Sequence, residues 1–351
     1  MKIRIVDIAV KAGVSAGTVD RILHQRGRYS EKTKEKVEKA IQELGYAPNI
    51  MARNLALKKE LHIICLIPNP TETKYWERPI SGIQKAIKEL ASFKVHIETI
   101  TFFHRKEDFK RASDQVLHLK PDGVVYVPMF MEESFNFAQQ LSAGNIPFVH
   151  INIQHSEAKP LSYVGQDPIA AGKTAASLCE LASQKKQNIL IAYISKAKQE
   201  YSHLQNRIDG FMQYFLDKNI NPSQISHLQI QTNNDESTYD TQLIQYLNKH
   251  PHIQTIYVPN SRAYKIASIL KKHKRKDLIV IGFDTLPENI AYLKEGYIDM
   301  LIGQQSKSQG FEAVMLLFNA LFRQETVKPQ KLLSIDLLNA ENIDFYDGLM
   351  Q

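Results

Sequence analysis

The sequence predicts two parts, a small all-α head and a large α/β body made of two lobes. Three short amphipathic helical patterns occupy the start of the chain, whereas strand-like apolar runs alternate with helical patterns from Leu61 onward. The charge divides at the same place. Residues 1–60 hold 13 Lys and Arg against 7 Asp and Glu, and the other 291 residues hold 31 against 30. A basic module on a nearly neutral body indicates a head that binds nucleic acid or another polyanion.

The composition of the 351 residues, 43% hydrophobic and 23% charged, is typical of a soluble globular protein of two or three domains. Cys65 and Cys179 stand far apart in apolar segments, which predicts buried thiols in a reducing cytoplasm and argues against disulfides or a Cys-based zinc site. The N-terminus lacks the apolar core of a signal peptide, and no run approaches the ~18 apolar residues of a membrane helix. We therefore expect a cytoplasmic protein without a membrane partner.

The sequence predicts three helices in the head. Gly13 is expected to end the first helix, and Ser15 and Ser30 are expected to cap the second and third. Apolar residues recur at helical spacing within each helix. They are Ile5, Ile8, Ala9 and Ala12, then Val19, Ile22 and Leu23, then Val37, Ala40, Ile41 and Leu44. Three short helices with a tight turn between the first two predict a helix-turn-helix domain, whose second helix lies in the DNA major groove.

Three motifs then give the head a family resemblance. They are D-I-A-x-x-A-G-V-S-x-x-T-V-x-R from Asp7, S-x-x-T-x-x-x-V from Ser30 and L-G-Y-x-P-N-x-x-A-R-x-L from Leu44. In spacing and residue type they resemble the DNA-binding head of the lactose-repressor family. The resemblance implies a helix-turn-helix domain over residues 1–47 and a hinge helix or linker over residues 48–60. The alternative is a helical hairpin of another purpose.

The second helix departs from the family at its base-reading positions. The resemblance assigns base reading to the two residues after Ser15, which here are Ala16 and Gly17. Alanine can contact a thymine methyl group, and glycine lets the backbone approach DNA closely. Asp20 replaces a family serine, so we expect Arg21 or Lys11 to pair with it, or a cytosine amino group to donate to it. Arg21 matches the family arginine, and we expect it to read guanine.

Further DNA contacts follow from the same resemblance. Thr18, His24, Arg26, Arg28 and Tyr29 are expected to contact phosphates, and the alternative for each is a solvated surface residue.

The hinge is the last DNA-binding segment. Asn49 is expected to cap the hinge helix, and the family's minor-groove Leu corresponds to Leu55, flanked by Ala52 and Arg53. A wedged leucine kinks DNA by partly unstacking a base step. The alternative is a plain linker with Leu55 buried against the body.

The body alternates strands and helices. The predicted strands are HIICLIP, VHIETITF, GVVYVP, PFVHIN, NILIAYI, ISHLQI, TIYVP, LIVIGFD and DMLIG. Near-continuous apolar strands that alternate with helices predict a parallel sheet covered on both faces, with a ligand at the carboxyl ends of its strands. From about residue 61 to 339 the layout resembles the two-lobed sugar-binding fold of periplasmic ribose-type receptors.

That resemblance implies an effector-binding and dimerisation domain over residues 61–351. Its N-lobe would span about 61–161 and 290–322, and its C-lobe about 162–289 and 323–351. Aromatic residues suit the CH faces of a sugar, while carboxylates, amides and Arg suit paired hydroxyls. The expected ligand-binding residues are Tyr75, Trp76, Asn152, Arg207, Asn260, Asp284 and Gln304.

Five of these residues also have a purely structural interpretation. The aromatic pair could be core packing, Arg207 a solvent-exposed helix residue, and Asn260 and Asp284 helix caps. Asn152 stands where the family usually has Asp, which removes a charge and a strong acceptor from the site.

Catalytic signals are weak. Gly172-Lys173-Thr174 suggests a phosphate-binding loop, but Asp167 occupies the position that requires Gly. The 12 His are scattered, and neither a carboxylate pair nor a nucleophile–His pair stands out. We therefore expect a protein without enzymatic activity, cofactor or metal.

The sequence thus predicts a transcription regulator, of the repressor type, that binds an inverted-repeat DNA operator as a homodimer. A small effector, expected to be a sugar or sugar derivative, would control that binding allosterically from the cleft. Two alternatives remain open: a solute-binding receptor of the transport type, and an enzyme on the same α/β body.

Overall fold

The computed structural model describes residues 4–23, 27, 29–44, 60–183, 188–195, 202–222, 225–231 and 237–346. The chain divides into two compact units, Met1–Lys59 and Glu60–Gln351, here called the head and the body. Among the described residues, no helix combines the length and apolar character that a membrane span requires.

The head contains the three predicted helices, α1 (Ile5–Ala12), α2 (Ala16–Leu23) and α3 (Glu31–Leu44). Gly13 ends α1 with a left-handed φ of 66°. The Ser15 and Ser30 hydroxyl oxygens accept the backbone N–H groups of Thr18 at 3.1 Å and Thr33 at 3.2 Å, which confirms both predicted caps. The predicted apolar residues of the three helices form one small core.

Two six-stranded sheets build the body. The first has the order β11-β5-β4-β3-β1-β2, and the second has the order β12-β10-β9-β8-β6-β7. All recorded strand pairs are parallel except β10 with β12. The first sheet comprises β1 (Leu61–Pro68), β2 (Val95–Phe102), β3 (Gly123–Tyr126), β4 (Phe148–Ile151), β5 (Ser162–Gly165) and β11 (Gln330–Leu332). The second comprises β6 (Ile189–Ser195), β7 (Ser226–Gln231), β8 (Thr255–Tyr257), β9 (Ile279–Phe283), β10 (Met300–Gly303) and β12 (Asp336–Leu338).

Helices cover both sheets and complete two lobes, each named after its sheet. The first lobe has α4 (Glu77–Glu89), α5 (Lys106–Leu119), α6 (Met131–Ala143) and α12 (Ser306–Phe318). The second has α7 (Pro168–Ala182), α8 (Ser202–Asp217), α9 (Ser237–Lys249), α10 (Ala263–Lys272) and α11 (Pro287–Lys294). Because the two sheets share one strand order, β4 corresponds to β9 and β5 corresponds to β10.

The lobe boundaries differ from the predicted ones. β5 and β11 lie in the first sheet although the C-lobe was expected to hold residues 162–289 and 323–351, and β10 lies in the second although the N-lobe was expected to hold 290–322. The chain therefore changes lobe after Gly165, after Gly303 and after Leu332. The sheet to which each of these three short strands belongs depends on ladder hydrogen bonds, which the sequence pattern alone does not reveal.

Both cysteines are buried and unpaired, as predicted. Burial raises the pKa of the Cys65 thiol to about 12 and also raises the pKa of Cys179, so both side chains act as small core residues.

Glycines allow one close helix crossing in each lobe. In the first lobe, a Cβ on Gly82 of α4 would lie 1.9 Å from the Lys307 carbonyl oxygen, and one on Gly310 of α12 would lie 2.0 Å from the Pro79 oxygen. In the second lobe, Gly172 of α7 meets the Arg207 carbonyl oxygen in the same way at 2.0 Å. None of these three contacts leaves room for a methyl group, so glycine fixes how closely each helix pair packs.

Replacing Gly310 with Ala tests this packing. We expect the free energy of unfolding to fall by about 1–3 kcal/mol, because backbone on both helices must move to admit the methyl group. Urea denaturation followed by circular dichroism measures the change. The matched control is Gly144→Ala, whose Cβ meets no atom closer than 3.4 Å. Equal stability of the two variants would contradict the close crossing.

Candidate ligand cavity and DNA-contacting helix

One cavity lies between the two lobes at the carboxyl ends of their strands, where parallel α/β sheets bind ligands. It measures about 750 Å³ when space open to solvent is included, within the range of small-molecule sites. All seven predicted ligand residues line it: Tyr75, Trp76, Asn152, Arg207, Asn260, Asp284 and Gln304. The structure thus brings together side chains from segments that lie far apart in sequence.

Two of these residues occupy equivalent places in the two lobes. Asn152 follows β4 and Asp284 follows β9, and both have left-handed backbones, with φ of 66° and 69°. This conformation is uncommon for residues other than glycine, although Asn and Asp tolerate it best. In both cases it turns the chain at the end of a strand, where the side chain lines the cavity.

A chain of polar contacts crosses the cavity from one lobe to the other. The Asn152 amide donates to the Tyr75 hydroxyl oxygen at 2.6 Å, and its nitrogen lies 3.5 Å from the Gln304 amide oxygen. The Gln304 amide in turn donates to the Asp284 carboxylate at 2.6 Å. Gln304 directly follows β10, at the second point where the chain changes lobe. The Asn152–Gln304 contact therefore joins the two lobes, whereas each of the other two contacts lies within one lobe.

Arg207 presents a buried guanidinium to this site. It projects from α8 with 6% of the residue exposed, and its guanidinium lies 4.1 Å from the centre of the Phe283 ring. One terminal nitrogen donates to the Pro259 carbonyl at 2.9 Å, whereas Nε has no partner among the described residues. A buried donor without a partner is costly, so the site favours a ligand that accepts from it.

Asn260 holds the opposite wall. Its amide donates to the Ile194 carbonyl at 3.2 Å, and its side-chain oxygen accepts the backbone N–H of Arg262 at 3.1 Å. The Arg262 guanidinium donates to the same Ile194 carbonyl at 3.1 Å and also lines the cavity. The start of α10 is thereby fixed against the end of β6.

Tyr75 and Trp76 form the aromatic wall. They lie in a short 3₁₀ turn (Lys74–Trp76) with ring centroids 4.8 Å apart and ring planes perpendicular. Both residues are buried in the first-lobe core while lining the cavity, so the structure unites the two interpretations that the sequence left open. Burial raises the pKa of the Tyr75 hydroxyl, and the nearby Asp284 carboxylate adds to this effect.

Asp284 is the carboxylate of this cavity. Burial raises its pKa to about 6, while the Arg207 charge and the Gln304 hydrogen bond act in the opposite direction. Near neutral pH the site therefore holds an anion that is only weakly stabilised until something compensates it.

Sequence reasoning missed the remaining lining residues, which are Thr73, His104, Met129, Ile153, Ile194, Leu204, Ser261 and Arg262. Most directly neighbour residues that it did identify, or follow the end of a predicted strand. The general rule that ligands bind at strand ends would have found Met129, which closely follows β3.

A separate cluster lies away from the cavity. His62 and His96 are register partners on β1 and β2, and their ligand atoms lie within 4.8 Å of one another and of Glu98. No sequence motif predicts this group, because the three residues meet only when the two strands pair.

In the head, α2 places the predicted base readers together. Ser15, Ala16 and Gly17 are exposed at its start, and the Arg21 guanidinium donates to the Gly17 carbonyl at 3.1 Å and to the Thr18 hydroxyl oxygen at 3.3 Å. Lys11 lies 3.1 Å from Glu43, where α1 packs against α3.

The other DNA-contact predictions have different outcomes. Tyr29 packs half-buried against the head core. The predictions for His24, Arg26, Arg28, Asn49, Ala52, Arg53 and Leu55 concern residues outside the described ranges.

Comparison with known proteins matches both units to family models. The model described as "Periplasmic binding protein domain" matches residues 64–325, about three quarters of the chain. The model described as "Bacterial regulatory proteins, lacI family" matches residues 4–49.

Similar proteins match most of this chain. The HTH-type transcriptional regulator MalR of Streptococcus pneumoniae is 25% identical, over 82% of this chain and 84% of its own length. The ribose operon repressor of Halalkalibacterium halodurans is 28% identical over 80% of each chain. A solved structure from Bacteroides fragilis, assigned as a LacI transcriptional regulator, superposes with a TM-score of 0.76 at 28% identity, covering 82% of this chain and all of its own.

Changing pH tests the environment of Asp284. Since its pKa is about 6 when folded against an ordinary 3.8, the folded protein binds more protons between these values, and burial of this group lowers stability as pH rises. The full effect corresponds to about 3 kcal/mol above pH 6.

In ligand-free protein, the unmodified chain should lose about this much stability from pH 4 to pH 7.5, and Asp284→Asn should not. The variant's stability relative to the unmodified chain should therefore rise by about this amount over the same range. Urea denaturation at both pH values measures it, with exposed Asp114→Asn as control. Parallel pH profiles for the Asp284 variant and the unmodified chain would contradict the assigned environment.

Proposed function

The chain belongs to the lacI family of bacterial regulatory proteins, built on a periplasmic binding protein domain, and from this we propose that it is a DNA-binding transcription regulator controlled by a sugar or sugar derivative in the interlobe cavity. The observation that carries the proposal is the joining of a lacI-type head to a body whose seven predicted ligand residues share one cavity. The relatives matched over most of their length are named as transcriptional regulators or operon repressors, so the protein is not an enzyme.

The cavity chemistry suits a polyhydroxylated ligand. Tyr75 and Trp76 offer apolar faces for CH groups, while Asn152, Asp284 and Arg207 offer acceptors and donors for hydroxyl pairs. The printed names of relatives support this class, since they include repressors of ribose and sucrose operons. A transport receptor is the less favoured alternative, because such a receptor does not require a DNA-binding head.

Ligand control follows from the closed arrangement of the lobes. Outside the cavity, Lys74 of the first lobe lies 2.6 Å from Glu288 of the second, and the Arg78 guanidinium lies 5.9 Å from the Tyr346 ring. The ion pair is exposed and the Arg78–Tyr346 contact is half-buried. Because surface ion pairs are individually weak, a ligand that touches both lobes shifts the balance between open and closed forms. The proposed switch is this change in population, transmitted to the head through the linker.

We further propose that the protein acts as a homodimer on an inverted-repeat operator. One helix-turn-helix head contacts only a short half-site, and a two-fold dimer positions two heads on a two-fold sequence. Phosphate contacts would supply most of the affinity, so binding should weaken steeply as salt rises.

Operator selection followed by gel-shift titration tests the function. We expect the full chain to select a palindromic duplex from a random pool, and at least one sugar or sugar derivative to change its retention on that duplex. Equal affinity for every duplex, unchanged by any ligand, would contradict the proposal.

Replacing Arg207 with Ala should separate sensing from DNA binding. We expect operator affinity without ligand to stay within about 3-fold, whereas the ligand response is lost, because the buried donors of the cavity are removed. Lys173→Ala, which removes a half-buried α7 side chain paired with Asp217 in the same lobe and outside the cavity, is the control. A normal ligand response in Arg207→Ala would contradict the placement of the effector.

Replacing Arg21 with Ala tests the reading helix. We expect operator affinity to fall about 10-fold or more and discrimination to relax at one base pair, because a bidentate contact to guanine is lost. Lys39→Ala, exposed on α3, should weaken binding slightly and equally for all sequences. Uniform loss across sequences for Arg21→Ala would reassign this residue to phosphate contact.

A further inference from the structure

The cavity carries an excess of positive charge. Among its described lining residues, Arg207 and Arg262 bear permanent positive charges and Asp284 is the one carboxylate. Half-buried His104 adds a group that can become cationic. The lining therefore has a net charge of at least +1 before any ligand enters.

Neither guanidinium forms an ion pair among the described residues. The Arg207 side chain donates to the Pro259 carbonyl, and the Arg262 side chain donates to the Ile194 carbonyl. Carbonyl oxygens satisfy part of each donor fork but do not neutralise its charge. The buried Arg207 Nε keeps no partner in the described structure. Two cations thus face one enclosed space with donors still available.

The acceptors of the cavity compensate this charge poorly. Asp284 is occupied by the Gln304 amide and is itself destabilised as an anion by burial. At the equivalent position of the other lobe stands Asn152, which is neutral. A neutral sugar would add hydroxyl acceptors but no charge, so closing the lobes over it would leave a net positive charge in a low-dielectric space.

We propose that the cavity takes an anionic sugar derivative, a polyhydroxylated molecule with one carboxylate or phosphate group, and that Arg262 recognises the anion. The inference rests on the proposed sensing function and narrows its ligand class. The hydroxyl-bearing part lies against Tyr75 and Trp76, while the acidic group accepts charge-assisted hydrogen bonds from the second lobe. Arginine suits this role, because its planar fork matches carboxylate and phosphate oxygens.

Titration calorimetry on the full chain with matched pairs tests the proposal. The pairs are glucose with glucuronate, galactose with galacturonate, glucose with glucose 6-phosphate, and ribose with ribose 5-phosphate. We expect at least one anion to bind about 10-fold or more tightly than its neutral parent, as for hydrogen bonds between charged groups. The first two pairs test a carboxylate and the last two test a phosphate. Acetate and inorganic phosphate should bind weakly, because they lack the hydroxyl-bearing part.

Two variants assign the charge recognition. Arg262→Gln should lower the affinity for the preferred anion to that of its neutral parent, whereas Arg262→Lys, which keeps the charge and loses the fork, should retain part of the preference. Arg111→Gln, on an exposed face of α5, should leave both affinities unchanged. Thermal unfolding of each variant establishes that it is folded, and the Lys variant keeps the test valid if the Gln variant is not.

Three results would overturn the proposal: neutral parents that bind as tightly as their anions in all four pairs, an anion preference that survives Arg262→Gln, or no binding by any acid or phosphate. Calorimetry requires no DNA, so these failures are distinct from failure of the proposed function. An anion that binds but leaves the operator gel shift unchanged would contradict the regulatory function alone. A neutral sugar that binds and changes the gel shift would contradict the proposed preference for an anionic ligand, but not the regulatory function.

Discussion

The function proposed for the body depends on polar side chains that meet between its two lobes. Tyr75, Asn152, Gln304 and Asp284 form a chain of contacts across the cavity, in which the Asn152–Gln304 contact joins the two lobes. Buried polar groups must be hydrogen-bonded, and a partly satisfied network is less stable than a complete one. A ligand that completes the network stabilises the closed form, and opening of the lobes rehydrates the same groups. The equilibrium between the lobes is therefore sensitive to what the cavity contains.

The rest of the fold positions these groups and limits how they move. Two sheets with one strand order bring equivalent strand ends, those of β4 and β9, to opposite sides of one cavity. Glycines at the α4–α12 and α7–α8 crossings hold each lobe together as a compact layer. Three crossings connect the lobes, and Gln166, just after the first, donates to the Gly303 and Ser334 carbonyls at the other two. The crossings are thus tied to one another, which favours movement of whole lobes over local rearrangement.

Most of the architecture could be predicted from the sequence, and so could the seven ligand residues that line the cavity, because long apolar strands and family-like motifs carry strong signals. It failed where signals are short or non-local. β11 spans three exposed residues and has no apolar pattern, so its membership in the first sheet depends on pairing with β5. Arg262 was missed because its role depends on the turn that Asn260 builds. The shifted pKa of Asp284 could not be read from sequence at all, since burial by both lobes causes it.

The central claim is that one equilibrium links the occupant of the cavity to the DNA-binding head. Thermodynamic linkage makes that claim quantitative: if a ligand changes operator affinity by some factor, the operator must change ligand affinity by the same factor. The direct measurement is the dissociation constant of the effector for free protein and for protein saturated with operator, set beside the operator dissociation constant with and without effector. The account predicts two equal ratios that differ clearly from one. An effector that binds free and operator-bound protein with the same affinity would contradict it.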